Sequence, residues 1–391
     1  MKKLRSLLLL VVAMSSVVVA LAAADAAWKW SGSYGSNAMT MLIIGDIDIQ
    51  RRVDPTSAFA HIGETLKNAD LVYANLEGML VTPQGPEMDI PDKRGWRHPG
   101  PEGVQALKAW NIHTVGVANN VAYDRANILA TLRILDANGI AHTGGGKNIA
   151  EAHRPAVVER KGVKVGFLQY TARWYRDDEQ IATDTEPGVA KISSRDGVSI
   201  DPADADRVRE DIRRLRPLVD VVVVSHHNRD GATATQFPGN PPAARSGASR
   251  DQHVSEEYQK RFAHLALDAG ADFVYGHGTH TIQGVEVYNG KPILYAIGHS
   301  AFDQPGYEQS KDGLVARAVI QGRKIVRVSF VPVSRDDHND VFMLQPSSAE
   351  GHRLLDIVRQ VSAPDVSLRI DGQEIVLLDR TPATSTQARR K

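Results

Sequence analysis

Cysteine is absent from the 391 residues. That removes disulfides, thiolate metal sites, thiol nucleophiles and lipid attachment through an N-terminal cysteine. Net charge is absent as well, since 46 basic side chains balance 46 acidic ones. A neutral chain is a poor fit to nucleic-acid binding by phosphate neutralisation, so nucleic acid is not expected as a partner. Beyond the N-terminus no apolar run approaches membrane-spanning length. What remains is an ordinary globular composition with 42% hydrophobic and 24% charged residues, long enough for one large α/β domain or two smaller ones. The chemistry is left to histidine, of which there are 14, and to carboxylates and amides.

Lys2, Lys3 and Arg5 precede an apolar stretch at 7–24 that ends in small residues around Ala24. This pattern predicts an export signal over 1–24, with an uncleaved N-terminal anchor as the alternative because the apolar stretch is long. Either places the body outside the cytoplasm, periplasmic or extracellular. Residues 37–335 then read as the main domain, 336–380 as an extension with a helix and a hairpin, and 381–391 as a solvated tail.

Within the main domain apolar runs at 40–44, 71–74, 113–118, 163–170, 219–224, 273–275 and 293–297 predict strands. Amphipathic segments at 57–68, 102–109, 126–138, 204–215 and 256–269 predict helices between them. Such alternation specifies a layered α/β sheet. The runs at 293–297, 314–320 and 324–331 have no helices between them and predict an antiparallel finish or a second sheet. Segments 82–101, 173–200 and 229–252 read as long loops. A helix is expected at 353–360, and Asp371-Gly372 is the expected turn of a hairpin over 367–378.

The ends of these strands carry the chemistry. The run 40–44 is followed by Gly45-Asp46-Ile47-Asp48, and 71–74 by Asn75-Leu76-Glu77. After 113–118 comes Asn119-Asn120, and after 219–224 Ser225-His226-His227-Asn228. The run 273–275 leads to Gly276-His277-Gly278-Thr279-His280, and 293–297 to Gly298-His299. Open α/β sheets bind ligands at the carboxyl ends of their strands. Each residue alone has an ordinary explanation as a turn, a cap or a satisfied buried imidazole. Capping does not account for imidazoles at three strand ends, whereas a divalent metal site requires such oxygen and imidazole donors.

These motifs, in this order, resemble the bacterial capsule-synthesis CapA/PgsA family. The closest stretches are Tyr73-Ala74-Asn75-Leu76-Glu77, Val117-Ala118-Asn119-Asn120 and the run from Gly276 to Asp303. The resemblance implies a calcineurin-like metallophosphoesterase fold, a four-layer α/β/β/α sandwich, holding one or more divalent ions such as Mn, Zn or Fe. It implies Asp46, Glu77, Asn120, His227 and His280 as metal ligands. The family's histidine after Ala-Asn-Asn is Val121 here, and its His-Pro-His is Gly278-Thr279-His280. Asp48 and His277 stand nearby as further candidate ligands. His226 and His299 are candidates to transfer the proton that Val121 cannot. Arg229, Arg173 and Arg97 are candidates to hold a carboxylate- or phosphate-bearing substrate.

Three functions follow as expectations. The first is an exported protein of capsule or poly-γ-glutamate-type polymer metabolism with a metal-dependent hydrolase-type site. Its partners would be an extracellular polyanion or a small carboxylate-bearing substrate, and membrane-bound capsule synthesis machinery. The second is a metal-dependent hydrolase of a small amide, ester or phosphate unrelated to capsule. The third is a polymer-binding or export factor whose degenerate site does not catalyse.

Overall fold

The computed structural model describes residues 27–50, 52–81, 99–194, 196, 198–228, 255–303 and 311–380. The expected signal at 1–24, residues 82–98 of the loop expected at 82–101, the loop at 229–252, the tail at 381–391, and with them Arg97 and Arg229, lie outside the described residues.

The chain begins a sheet with β1 (Met39–Asp48), followed by a 3-10 helix (Pro55–Ile62), α1 (Gly63–Lys67) and β2 (Leu71–Leu76). Next come α2 (Gly103–Ala109), β3 (Thr114–Gly116), α3 (Arg125–Ala137) and β4 (Ala141–Thr143). These four strands are parallel. The segment that follows holds β5 (Gly145–Gly146), α4 (Ile149–Ala152), β6 (Ala156–Arg160), β7 (Val163–Thr171), α5 (Asp177–Gln180) and β8 (Gly188–Val189). Strands β5 and β8 form a small ladder of their own. After α6 (Pro202–Leu215) come β9 (Val221–His227), α7 (Glu257–Ala269), β10 (Phe273–His277), β11 (Val285–Tyr288) and β12 (Lys291–Leu294). They build a second sheet in the order β11-β12-β10-β9-β7-β6. The chain then returns to the first sheet with β13 (His299–Phe302), β14 (Gly313–Gln321), β15 (Lys324–Arg335) and β16 (Val341–Met343). Helix α8 (Ala349–Val361) and the hairpin of β17 (Arg369–Asp371) and β18 (Glu374–Asp379) close the described chain.

Residue alternation along the strands makes the layers. Met39, Met41 and Ile43 of β1 face Val221 and Val223 of β9 across a core between the two sheets. Leu42 and Ile44 point the other way, onto a core shared with residues of the 3-10 helix, α2 and α3. Val222 and Val224 likewise point outward, onto Val208 and Ile212 of α6 and Phe262 of α7. The result is the expected four-layer α/β/β/α sandwich. The antiparallel finish divides between the sheets: β12 runs parallel to β10 in the second, whereas β14 and β15 pair antiparallel next to β1 in the first.

The helices end where their chemistry says they should. Asp201 accepts from Ala203 N ahead of Pro202, a proline-led start, and Glu256 with Gln259 forms a capping box on α7. The segment after 335 is continuous with the sandwich: β18 pairs with β15, and Leu354, Leu355 and Ile375 lie in the core between the sheets. Gly372 turns the C-terminal hairpin at φ +62°. Among the described residues no helix is long and apolar enough to cross a membrane.

Candidate metal centre

Asp46 is the hinge of the site. It is fully buried, and its carboxylate belongs to two groups of ligand-capable side chains, one with His227 and His277, the other with His280 and His299. Strand parity would send residue 46 outward with Leu42 and Ile44. Irregularities in the pairing of β1 with β2 and with β13 fall at this point, and the carboxylate lies instead beside Asn75 and His277. A bulge re-aims a side chain in this way. Gly45 permits the backbone approach, because a Cβ there would lie 2.2 Å from the Gly298 carbonyl oxygen.

The carboxylate is held at both oxygens. Oδ1 accepts from Asn75 Nδ2 at 2.8 Å and lies 3.3 Å from His277 Nδ1. Oδ2 accepts from the Gly278 backbone N–H at 3.0 Å and lies 4.0 Å from His280 Nδ1. Burial pushes the Asp46 pKa up. The hydrogen bond and charge of His277 lead the effects that more than reverse this and hold it well below the usual carboxylate range.

The imidazoles form two pairs around it. His227 Nδ1 is 3.0 Å from His277 Nδ1, and its Nε2 is 2.7 Å from Asn120 Oδ1. Burial, then the charge of His277, holds the His227 pKa well below its ordinary value, so its ring is neutral and has a lone pair to give. His280 Nδ1 is 2.7 Å from His299 Nε2, and the His299 ring stacks on Phe302 at 4.0 Å. His280 sits at φ +60°, a left-handed conformation costing about 1–3 kcal/mol in a residue with a Cβ.

The departures from the family's motifs acquire physical reasons here. Gly278 stands at φ +86°, and a Cβ there would fall 2.7 Å from the His227 ring, so no ligating side chain fits at that position. His277 faces Asp46 and His227 instead. Val121 is buried in the apolar layer outside the first sheet.

The remaining candidates separate. His299 joins the ligand cluster, although its expected role was proton transfer. His226 must be corrected: it has the parity of Val222 and Val224, points away from Asp46, and stacks on Phe262 of α7 at 4.4 Å. Adjacent strand residues face opposite sides of a sheet, so His226 and His227 cannot both reach the site. Asp48 and Glu77 are fully buried at the same sheet edge, but neither belongs to the two ligand groups. Asp48 Oδ2 accepts from Gln50 Nε2 at 2.7 Å. Asn120 reaches His227 directly and donates to the Tyr175 hydroxyl at 3.0 Å. Arg173 is buried, its guanidinium 5.9 Å from the Tyr175 ring, and its charge contributes to lowering the His227 pKa. The Asp124 carboxylate, just past Asn120, caps α3 by accepting from Asn127 N at 3.0 Å.

Sequence reasoning missed Arg335 of β15, whose Nη2 lies 3.5 Å from His299 Nδ1 and whose Nη1 donates to the Phe302 carbonyl. No local pattern distinguishes it from the other arginines of the chain. The donor set fits a divalent ion. Each group offers one carboxylate oxygen and two imidazoles, the composition of an open three-ligand site. His277 Nε2 is moreover buried with no hydrogen-bond partner among the described residues.

Known proteins of similar sequence include relatives named for capsule synthesis. The capsule biosynthesis protein CapA of Bacillus anthracis is 25% identical over 309 residues, covering 76% of this chain and 67% of that protein. A probable polyglutamine synthesis accessory protein of Mycobacterium tuberculosis is 32% identical over 211 residues, 53% of this chain and 49% of its own. A solved structure of a novel phosphatase from Mycoplasma pneumoniae is similar at a TM-score of 0.44 with 11% identity, over 78% of this chain and 96% of that one. The pattern described as bacterial capsule synthesis protein PGA_cap matches residues 32–304, well over half of the 391, and the chain belongs to that family.

Proposed function

We propose that this chain is an exported protein of capsule or poly-γ-glutamate-type polymer metabolism, and that its Asp46-centred cluster is a divalent metal site of hydrolase type. The observation that carries the reading is the sharing of one buried carboxylate by two imidazole pairs. A divalent ion bound there would polarise a carbonyl and acidify a water towards a pKa of ~7. The protein's own part is to keep Asp46 ionised, to keep His227 neutral, and to exclude bulk water from both. Arg173 supplies positive charge beside the cluster, which suits an anionic polymer. His299 stands with the ligand-capable groups and His226 is turned away, so the proton expected of these two rings has to be carried by water or by the substrate. Relatives named for capsule and polyglutamine synthesis support the polymer over an unrelated small substrate.

The test is metal analysis of the purified protein, read beside hydrolysis of a γ-glutamyl polymer, a simple ester and a phosphomonoester with added Mn²⁺ or Zn²⁺. Bound metal with chelator-sensitive shortening of the polymer supports the reading. Metal-free protein that binds polymer equally well with and without chelator would instead favour the non-catalytic polymer-binding role, which the burial of Val121 in the apolar core supports. Export is tested by fractionating cells that produce the full chain. Protein retained in the cytoplasm with Met1 intact would refute it.

A further inference from the structure

Below the metal centre, between the two sheets, lies a chain of buried amides that the expected ligand set does not include. Asn75 donates through Nδ2 to Asp46, and its own Oδ1 accepts from Gln169 Nε2 at 2.8 Å and from Asn119 Nδ2 at 3.2 Å. An amide can in principle present either end, so what matters is what fixes each one. Gln169 Nε2 also donates to the Ala118 carbonyl at 3.1 Å, and a backbone carbonyl can only accept. Its Oε1 is taken by the Tyr73 hydroxyl at 2.9 Å and Ser225 Oγ at 3.1 Å. Asn119 is pinned in the same way, donating to the Leu76 carbonyl at 2.8 Å and accepting from the Ala122 backbone N–H at 3.0 Å. Both donors are therefore oriented by backbone groups of fixed polarity, and both aim N–H at Asn75 Oδ1. Turning Asn75 over would set three NH₂ groups against one another and its oxygen against the Asp46 carboxylate.

We infer that Gln169 and Asn119 are positioning residues that lock the Asn75 amide and, through it, hold the Asp46 carboxylate turned towards both imidazole pairs. The inference rests on the proposal that Asp46 serves a metal. The fold makes room for it: a Cβ on Gly116 would fall 1.4 Å from Gln169 Oε1, so the slot exists only because β3 carries glycine there. Gln169 shares its strand face with Val165 and Phe167, residues of the core between the sheets. An amide there has no packing rationale unless its hydrogen bonds are used.

The experiment uses the full-length chain with Gln169→Met, which keeps the volume and removes both ends of the lock. Zn²⁺ and Mn²⁺ affinities measured by titration calorimetry should fall about 10–100-fold, the range for losing a group that orients a metal ligand. Ser225→Ala removes a buried hydrogen bond at the acceptor end of Gln169 while leaving the Ala118 anchor, and should leave the affinities unchanged. In metal-free protein labelled with nitrogen-15 asparagine, the Asn75 side-chain amide should give one sharp pair of signals in the wild type. Those signals should shift or broaden in Gln169→Met. Asn119→Ser removes the second donor, is expected to act in the same direction, and serves if Gln169→Met does not fold. Unchanged affinities with unchanged Asn75 signals would overturn the inference. A wild-type chain that binds neither ion would count against the metal centre, and the Asn75 signals of the metal-free protein would still decide whether the lock exists.

Discussion

One carboxylate serving two imidazole pairs gives the residue scale its sharpest test. Asp46→Asn preserves the shape but removes the charge shared by both groups. It should abolish tight divalent binding altogether rather than halve it, as metal-to-protein ratios after dialysis would record. The neighbours on β9 make a matched pair. His227→Ala should lose bound metal. His226→Ala should retain it and lower stability by about 1–3 kcal/mol through lost packing against Phe262 and Tyr258, read from urea unfolding. Metal loss in His226→Ala would contradict the assignment of faces. Both residues could be picked out from the sequence as a histidine pair at a strand end. Which of them turns inward depends on which face of β9 is covered by the other sheet.

At the scale of elements, the C-terminal hairpin is joined to the sandwich by charge as well as by strand pairing. Glu374, fully buried on β18, accepts from Arg327 at 2.6 Å and from Arg317 at 3.3 Å. Arg327 also reaches Asp371 at 2.8 Å and Asp379 at 3.0 Å. Ser31 N donates to Glu374 at 3.1 Å, which docks the start of the described chain on the same hairpin. Glu374→Ala would leave Arg317 beside a hole while Arg327 keeps Asp371 and Asp379, and should cost roughly 3–5 kcal/mol, the range for breaking a buried ion pair at one partner. Denaturant midpoints would show it. Metal content of the folded fraction should be unaffected, because β18 stands three strands from β1 in the sheet. The Asp371-Gly372 turn is legible in the sequence. The buried charges are not, since a glutamate in an alternating strand reads as a solvent-facing residue.

At the scale of the whole molecule, buried and half-buried imidazoles set the response to acid. Burial holds His227, His113 and His142 below their ordinary pKa of 6.5, with the charge of His277 adding to it at His227 and that of Arg160 at His113, and with Asp136 partly opposing it at His142. The unfolded chain therefore binds more protons than the folded one below pH ~6.5, and stability must fall as pH drops through that value. Asp46, held below its ordinary 3.8, adds a loss only further into acid. Metal-free protein should melt at a lower temperature at pH 5.5 than at pH 7.5, as differential scanning calorimetry would measure. Equal melting temperatures would contradict the neutral state of these rings. The layered architecture and the positions of Asp46, His227, His277, His280 and His299 were readable because both depend on short-range order: apolar runs of strand length, each ending in a polar residue where the sheet edge begins. The turn of Asp46 at its bulge, the outward face of His226, the partnership of His280 with His299, the contact of Arg335 and the amide lock were not readable. Each depends on strands far apart in sequence being set side by side in a particular register, and it is the packing of two sheets across a common core that chooses that register.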